Sequence, residues 1–276
     1  MFKIGFNINS NMNRKRRLCC NAPKYTSTER LKLPPDNSKT LAKIWPDFVN
    51  MDKRMKKEIP FILDHSHKRN PKVFDAALGS GATSIGLKLF GINHVISNEI
   101  DLEMKLVAIS EASKRYVSIE LTSYDWTKPF PSLMHGKFDT VTCLGNSLTC
   151  ILNPDKRFEA VENFKKLLAL GGVLMIDERN YPRILKGDFS HNGEYVYCGT
   201  DKVACKPVQV SDELVVMEYE HLKTSERAYI ELYPFKKGEM ISLLREAGFQ
   251  HIEVYKDYKQ INCGDVEFYT HVAMGR

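Results

Sequence analysis

No apolar run in this chain approaches the roughly 20 residues that a membrane-crossing helix needs, so the sequence offers no transmembrane segment. None of its seven cysteines forms a C-x-x-C pair. Cys19, Cys20, Cys143, Cys150, Cys198, Cys205 and Cys263 are scattered, several of them inside apolar, strand-like runs. That pattern argues against a disulfide frame or a zinc site and suits reduced thiols in a cytoplasmic protein. The eight histidines show no metal-ligand spacing, so no metal is assigned. There is no internal repeat and no low-complexity tract. Acid is missing from the start of the chain: Lys3, Arg14, Lys15, Arg16, Arg17 and Lys24 all precede the first carboxylate, Glu29. Much of the net charge of +6 therefore sits in a basic arm. Such an arm reads as a solvated tail, with a transit peptide or a phosphate-binding arm as the other readings.

What is present is enough for one large domain. The chain has 276 residues and is 43% hydrophobic, sufficient for a sizeable core. Residues 1–38 form the basic tail or arm. From 38 to about 68, apolar residues recur at helical spacing and predict one or two helices. Strands are expected over 72–78, 94–100, 118–122, 138–144 and 173–177. Helices are expected over 82–90, 101–115 and 154–170, the last stopped by Gly171-Gly172. The helix over 101–115 has Leu102, Leu106, Ile109 and Ala112 on one face. This regular alternation implies an α/β fold with a Rossmann-like, doubly wound, mostly parallel sheet and helices on both faces. Residues 39–181 then form the cofactor-binding core. After Tyr181, strands over 194–198, 203–210, 214–221 and 227–233 follow one another without helices, predicting a small antiparallel cap insertion, roughly 182–227. A helix over 237–247 and strands over 252–258 and 268–274 complete the core through 276.

The run Asp75-Ala76-Ala77-Leu78-Gly79-Ser80-Gly81 is a strand entering a glycine turn, and Glu99 closes the next strand. In doubly wound sheets such a turn lets backbone approach a nucleoside, while the acid holds ribose hydroxyls. A dinucleotide fold wants a third glycine, where this chain has Ser84. An acid at Asp75 would repel a pyrophosphate and would suit an ammonium. Acids at both strand ends thus favour S-adenosylmethionine, which carries an ammonium, a sulfonium and no phosphate.

These residues resemble the class I S-adenosylmethionine-dependent methyltransferases over roughly 70–180. Cys143-Leu144-Gly145-Asn146-Ser147 and Asp177-Glu178-Arg179-Asn180-Tyr181, with Leu232-Tyr233-Pro234, are similar to runs of the glycine N-methyltransferase and glycine/sarcosine N-methyltransferase family. The resemblance implies N-methylation of a small amino acid such as glycine or sarcosine. It places Asp75, Ala77, Gly79 and Gly81 at the methionine end of the cofactor and Glu99 on the ribose. Ile100, Met104, Asp125 and Trp126 fall around the adenine, and Leu144 and Gly145 along the methyl donor. Asn146 and Arg179 would face the substrate, with Arg179 anchoring its carboxylate. Tyr181, Tyr195, Tyr197 and Tyr233 would surround the amine. A homo-oligomer fits the resemblance.

Other acceptors on the same fold remain open at this point: a different amine, a hydroxyl or a carboxylate. So does a non-catalytic cofactor-binding protein. Nucleic-acid methylation is disfavoured, because the end of the fourth strand reads Leu144-Gly145-Asn146-Ser147 rather than a [DN]-P-P-[YFW] run.

Overall fold

The computed structural model describes residues 30–189, 201–259 and 266–275. Two helices lead in, α1 (Asn37–Phe48) and α2 (Met51–His65). Asn50 caps α2 by accepting from the Lys53 backbone N–H at 2.9 Å. The core then alternates β1 (Val73–Asp75), α3 (Ala82–Leu89), β2 (Val95–Asn98), α4 (Leu102–Lys114), β3 (Glu120–Thr122), β4 (Phe138–Cys143), α5 (Pro154–Leu167) and β5 (Leu168–Arg179). A short helix α6 (Tyr181–Leu185) follows. The strands β6 (Val203–Val210), β7 (Val215–His221) and β8 (Arg227–Leu232) form a separate antiparallel sheet in the order 6-7-8. Then α7 (Glu239–Glu246), β9 (His251–Lys256) and β10 (Phe268–Met274) return to the main sheet.

The main sheet has the order 3-2-1-4-5-10-9. All its pairings are parallel except those of β10, which runs antiparallel to both β5 and β9. Side chains alternate across it. Phe74, Val141, Leu174 and Ile176 enter one core with Phe138 and Phe164; Val73, Val173 and Met175 enter the other with Ile59, Ile85 and Val95. Phe74 is fully buried, and truncating it to Ala would cost about 3–5 kcal/mol. The chain reverses its winding between β1 and β4. That switch point is where ligands bind in open α/β sheets.

Two expectations are corrected. The helix expected to run to 170 stops at Leu167, and the Gly171-Gly172 pair lies inside β5. There the register shifts between Phe138↔Leu168 and Thr140↔Val173. A Cβ on Gly172 would sit 2.9 Å from the Ala169 carbonyl and 3.0 Å from that of Phe138. The glycines therefore serve an irregularity of the strand rather than a helix stop. On α4 the buried face is Met104, Ala108 and Ala112, and Leu102, Leu106 and Ile109 face outward.

Candidate active site

A cavity of about 540 Å³ opens at the carboxyl ends of β1 and β2, within the range of small-molecule sites. The glycine turn and its neighbours form the floor, contributing Ala76, Ala77, Gly79, Asn98, Glu99, Ile100 and Met104. Tyr124, Asp125, Trp126 and Thr127 form one wall, and Ser147, Cys150 and Ile151 another. Leu33, Asn37, Ser38, Leu41 and Trp45 close it from the N-terminal side, and Tyr229, Ile230 and Glu231 of β8 from the small sheet. Four carboxylates line it: Glu99, Asp101, Asp125 and Glu231. Among the described residues lining it there is no lysine or arginine. Such a wall repels a pyrophosphate and favours a ligand carrying positive charge.

The acids are held in place by backbone. Gly79, in the left-handed region at φ 53°, donates its N–H to Glu99 Oε2 at 2.9 Å, and Asp101 N donates to Oε1 at 2.9 Å. Burial pushes the Glu99 carboxyl up, against these bonds, which lower it. Asp125 accepts from Thr127 N and Oγ1 through Oδ1, and the backbone bond foremost lowers its pKa. Trp126 donates from Nε1 to the Ala76 carbonyl at 3.0 Å, which fixes its ring edge-on to Phe164.

A second cluster joins the ends of β4 and β5. Gly145 (φ 85°) and Asn146 (φ 66°) are both left-handed. Their N–H groups donate to the two oxygens of the fully buried Asp177, at 3.1 and 2.6 Å. The Asn146 carboxamide accepts from Arg179 N at 2.9 Å and donates to Tyr181 Oη at 2.8 Å. Tyr181 in turn donates toward Thr149 Oγ1 at 3.1 Å. The Arg179 guanidinium is buried, with its Cζ 5.0 Å from the Phe268 ring centroid.

The cavity thus gathers Ala77, Gly79, Glu99, Ile100, Met104, Asp125 and Trp126. Gly81, Leu144, Gly145, Asn146 and Arg179 do not line it; the last three belong to the second cluster. Four expected roles meet a different geometry. Asp75 is wholly buried, and its oxygens accept from Ser84 Oγ at 2.6 Å and Thr142 Oγ1 at 3.2 Å, so it meets no ammonium. Ser84, standing where a third glycine was sought, is the residue that holds it. Tyr181 is fully buried and bonded to Asn146 and Thr149, so its hydroxyl does not reach an amine. Tyr233 donates to Glu239 Oε1 at 2.5 Å, with the Arg157 guanidinium 3.5 Å over its ring, so its hydroxyl is committed to Glu239. The carboxamide of Asn146, expected to face the substrate, is committed to Arg179 and Tyr181. Tyr195 and Tyr197 lie outside the described residues.

Sequence reasoning missed the N-terminal wall. Leu41 and Trp45, one helical turn apart, were read as helix packing, and they line the cavity. It also missed Arg54. This buried guanidinium pairs with Glu58 at 2.8 Å, and a Cβ on Gly145 would lie 3.6 Å from its Nη1. A lone arginine on an amphipathic helix carries no signal that would have found it.

No family model matches the chain. Among curated proteins it is 32% identical over 231 residues to a glycine/sarcosine N-methyltransferase of Halorhodospira halochloris, covering 83% of this chain and 85% of that one. It is 33% identical over 234 residues to the corresponding protein of Aphanothece halophytica, covering 83% and 86%. Among solved structures it resembles an S-adenosylmethionine-dependent methyltransferase from Clostridium acetobutylicum, with a TM-score of 0.64 at 17% identity, covering 82% of this chain and 92% of that one. A methyltransferase from Streptomyces caelestis gives a TM-score of 0.61 at 14% identity, covering 87% and 98%. The strand order is that of the S-adenosylmethionine-dependent methyltransferase fold, and the curated relatives place the chain in that class. At the identity and coverage just given, the chain belongs to the glycine/sarcosine N-methyltransferase family.

Proposed function

We propose that this enzyme methylates the amine of a small amino acid, glycine or sarcosine, and that Arg179 selects the acceptor by its carboxylate. The observation that carries the reading is the pairing of two sites of opposite charge. A cavity whose described lining carries four carboxylates and no lysine or arginine suits the positively charged methyl donor, and a buried guanidinium, Arg179, stands at the carboxyl end of β5 in the same sheet. S-adenosylmethionine, when bound, supplies an electrophilic methyl on sulfur. Glu99 would accept from the ribose hydroxyls, with Ile100, Met104 and Trp126 against the adenine and Asp125 toward its amino group. Ala77, Gly79, Gly81, Leu144 and Gly145 would receive the methionine end.

The protein then has two tasks. It must hold a neutral amine about 3 Å from the methyl and in line with the departing sulfur, and it must exclude water. The planar fork of Arg179 pairs bidentately with a carboxylate, which aims the amine. Its positive charge also favours loss of the ammonium proton. The amine lone pair forms the C–N bond, the C–S electrons leave with sulfur, and a proton is released. Repetition on glycine would give sarcosine, then dimethylglycine, then betaine. The three described free cysteines, Cys143, Cys150 and Cys205, support a reducing, cytoplasmic setting.

The test is S-adenosylhomocysteine release over a panel of amines, hydroxy acids and carboxylates. Glycine or sarcosine should be turned over, and Arg179→Ala should lower kcat/KM on the order of a hundredfold, the loss of a charged bidentate contact. Activity indifferent to that change, or confined to acceptors without a carboxylate, would remove the substrate assignment and leave another acceptor on the same fold.

A further inference from the structure

We propose that Asp177 is the positioning residue that sets the distance between methyl donor and acceptor anchor, and that Asn146 and Tyr181 act through it rather than on substrate. This rests on the function proposed above. Asp177 lies on β5, two residues before Arg179, and the parallel register places Cys143 opposite Ile176. The next residues of β4 therefore turn beside Asp177. Its carboxylate grips that turn twice, through Gly145 N and Asn146 N. The two successive N–H groups converge on one carboxylate.

The grip has a purpose beyond the turn. Asparagine is among the few non-glycine residues that tolerate the left-handed region, and the bond from its N–H to Asp177 fixes it there. Once held, its carboxamide reaches across to β5, bonding Arg179 N and Tyr181 Oη. Asp177, Asn146, Arg179 and Tyr181 thus form one closed loop between two strand ends. Gly145, assigned to the donor, and Arg179, assigned to the acceptor, are both tied to it by backbone N–H bonds. In-line transfer tolerates little error, and a misplacement near 1 Å can cost about a hundredfold.

Asp177→Asn tests this in the full chain. The carboxamide keeps one acceptor and turns an NH₂ group toward the second N–H, so one side of the grip fails. The expected result is a 30-fold or larger fall in kcat/KM for glycine, shared between kcat and KM. The dissociation constant of S-adenosylhomocysteine should rise by much less than kcat/KM falls, because Asp177 reaches the donor only through the Gly145 backbone. A merely structural role would instead lower the melting temperature without this split. Wild-type kinetics in a folded Asp177→Asn protein would overturn the proposal.

Asn146→Gly covers the case in which Asp177→Asn does not fold. Glycine accepts the left-handed backbone and keeps both N–H bonds to Asp177, but it loses the link to β5. Hydrogen exchange should then quicken at Arg179 and stay slow at 145–146. Unchanged exchange at Arg179 would overturn the loop. Exchange also separates the two readings: if wild type methylates no amino acid, the function fails while the grip is still judged by its amides.

Discussion

Asp75 shows how one residue can be legible in type and misread in role. An acid before the glycine turn suggested a partner for an ammonium. The fold instead buries it under Ser84 and Thr142. Burial, foremost, pushes its carboxyl up to about 6 from an ordinary 3.8, and the Ser84 bond pulls it back only in part. A carboxyl whose pKa is raised by folding stabilises the fold fully below its unfolded value. That contribution is lost as pH rises through the folded value. Ionised Asp75 should therefore cost on the order of 2 kcal/mol at pH 7 relative to pH 4. Asp75→Asn removes this dependence while keeping the shape. In urea titrations, the stability of Asp75→Asn relative to wild type should rise by that amount between pH 4 and pH 7. A constant difference across that interval would show that Asp75 does not titrate there. Glu99 and Gly79, by contrast, were legible, because an acid and a glycine at fixed strand ends have few other uses and here bond each other directly.

Among the elements, the least expected is the segment before and within α1. Arg30 pairs with Glu231 through two bonds, Leu31 N donates to Gln209, and Ser38 donates to Asp101. The Asn37 side chain takes the place of a neighbouring strand: it donates to the Tyr229 carbonyl at 2.9 Å and accepts from Tyr229 N at 2.8 Å. The strap so fastened closes the cavity with Leu33, Leu41 and Trp45. Arg30→Ala should change stability by less than about 1 kcal/mol, since its ion pair is exposed. Asn37→Ala breaks two bonds to β8 and should cost about 1–2 kcal/mol. It should also speed S-adenosylhomocysteine release several-fold in stopped-flow, and an unchanged release rate would mean that the strap does not gate the cavity. The sequence order of strands and helices was readable because hydrophobic period switches cleanly between 2 and 3.6. The errors share one cause, that local pattern is blind to neighbours. Leu102, Leu106 and Ile109 made a persuasive stripe, yet α4 turns Met104, Ala108 and Ala112 inward. Gly171-Gly172 looked like a helix stop until the carbonyls of Phe138 and Asp139 were seen to crowd it. Asn37 resembled part of a basic arm, because its partner is 192 residues away.

At the scale of the whole molecule, charge is divided against itself. The chain carries a formal net charge of +6, while the cavity presents Glu99, Asp101, Asp125 and Glu231. The sulfonium donor must therefore approach a basic protein and enter an acidic pocket. The two forms of the cofactor differ in this field by one charge, since transfer converts a sulfonium into a neutral thioether. The carboxylates should hold the donor more firmly than the product, which helps the product leave. Salt separates this electrostatic part from shape and apolar contact, because the screening length falls from about 10 Å at 0.1 M to about 3 Å at 1 M. Calorimetric titration over that interval should weaken S-adenosylmethionine binding about three- to tenfold and S-adenosylhomocysteine binding by less than half as much on a logarithmic scale. Glu231→Gln, which also leaves the charge of its partner Arg30 uncompensated beside the cavity, should reduce the difference without removing binding. If donor and product respond to salt alike, the acid lining does not discriminate between them, and product release must instead depend on the strap and the small sheet.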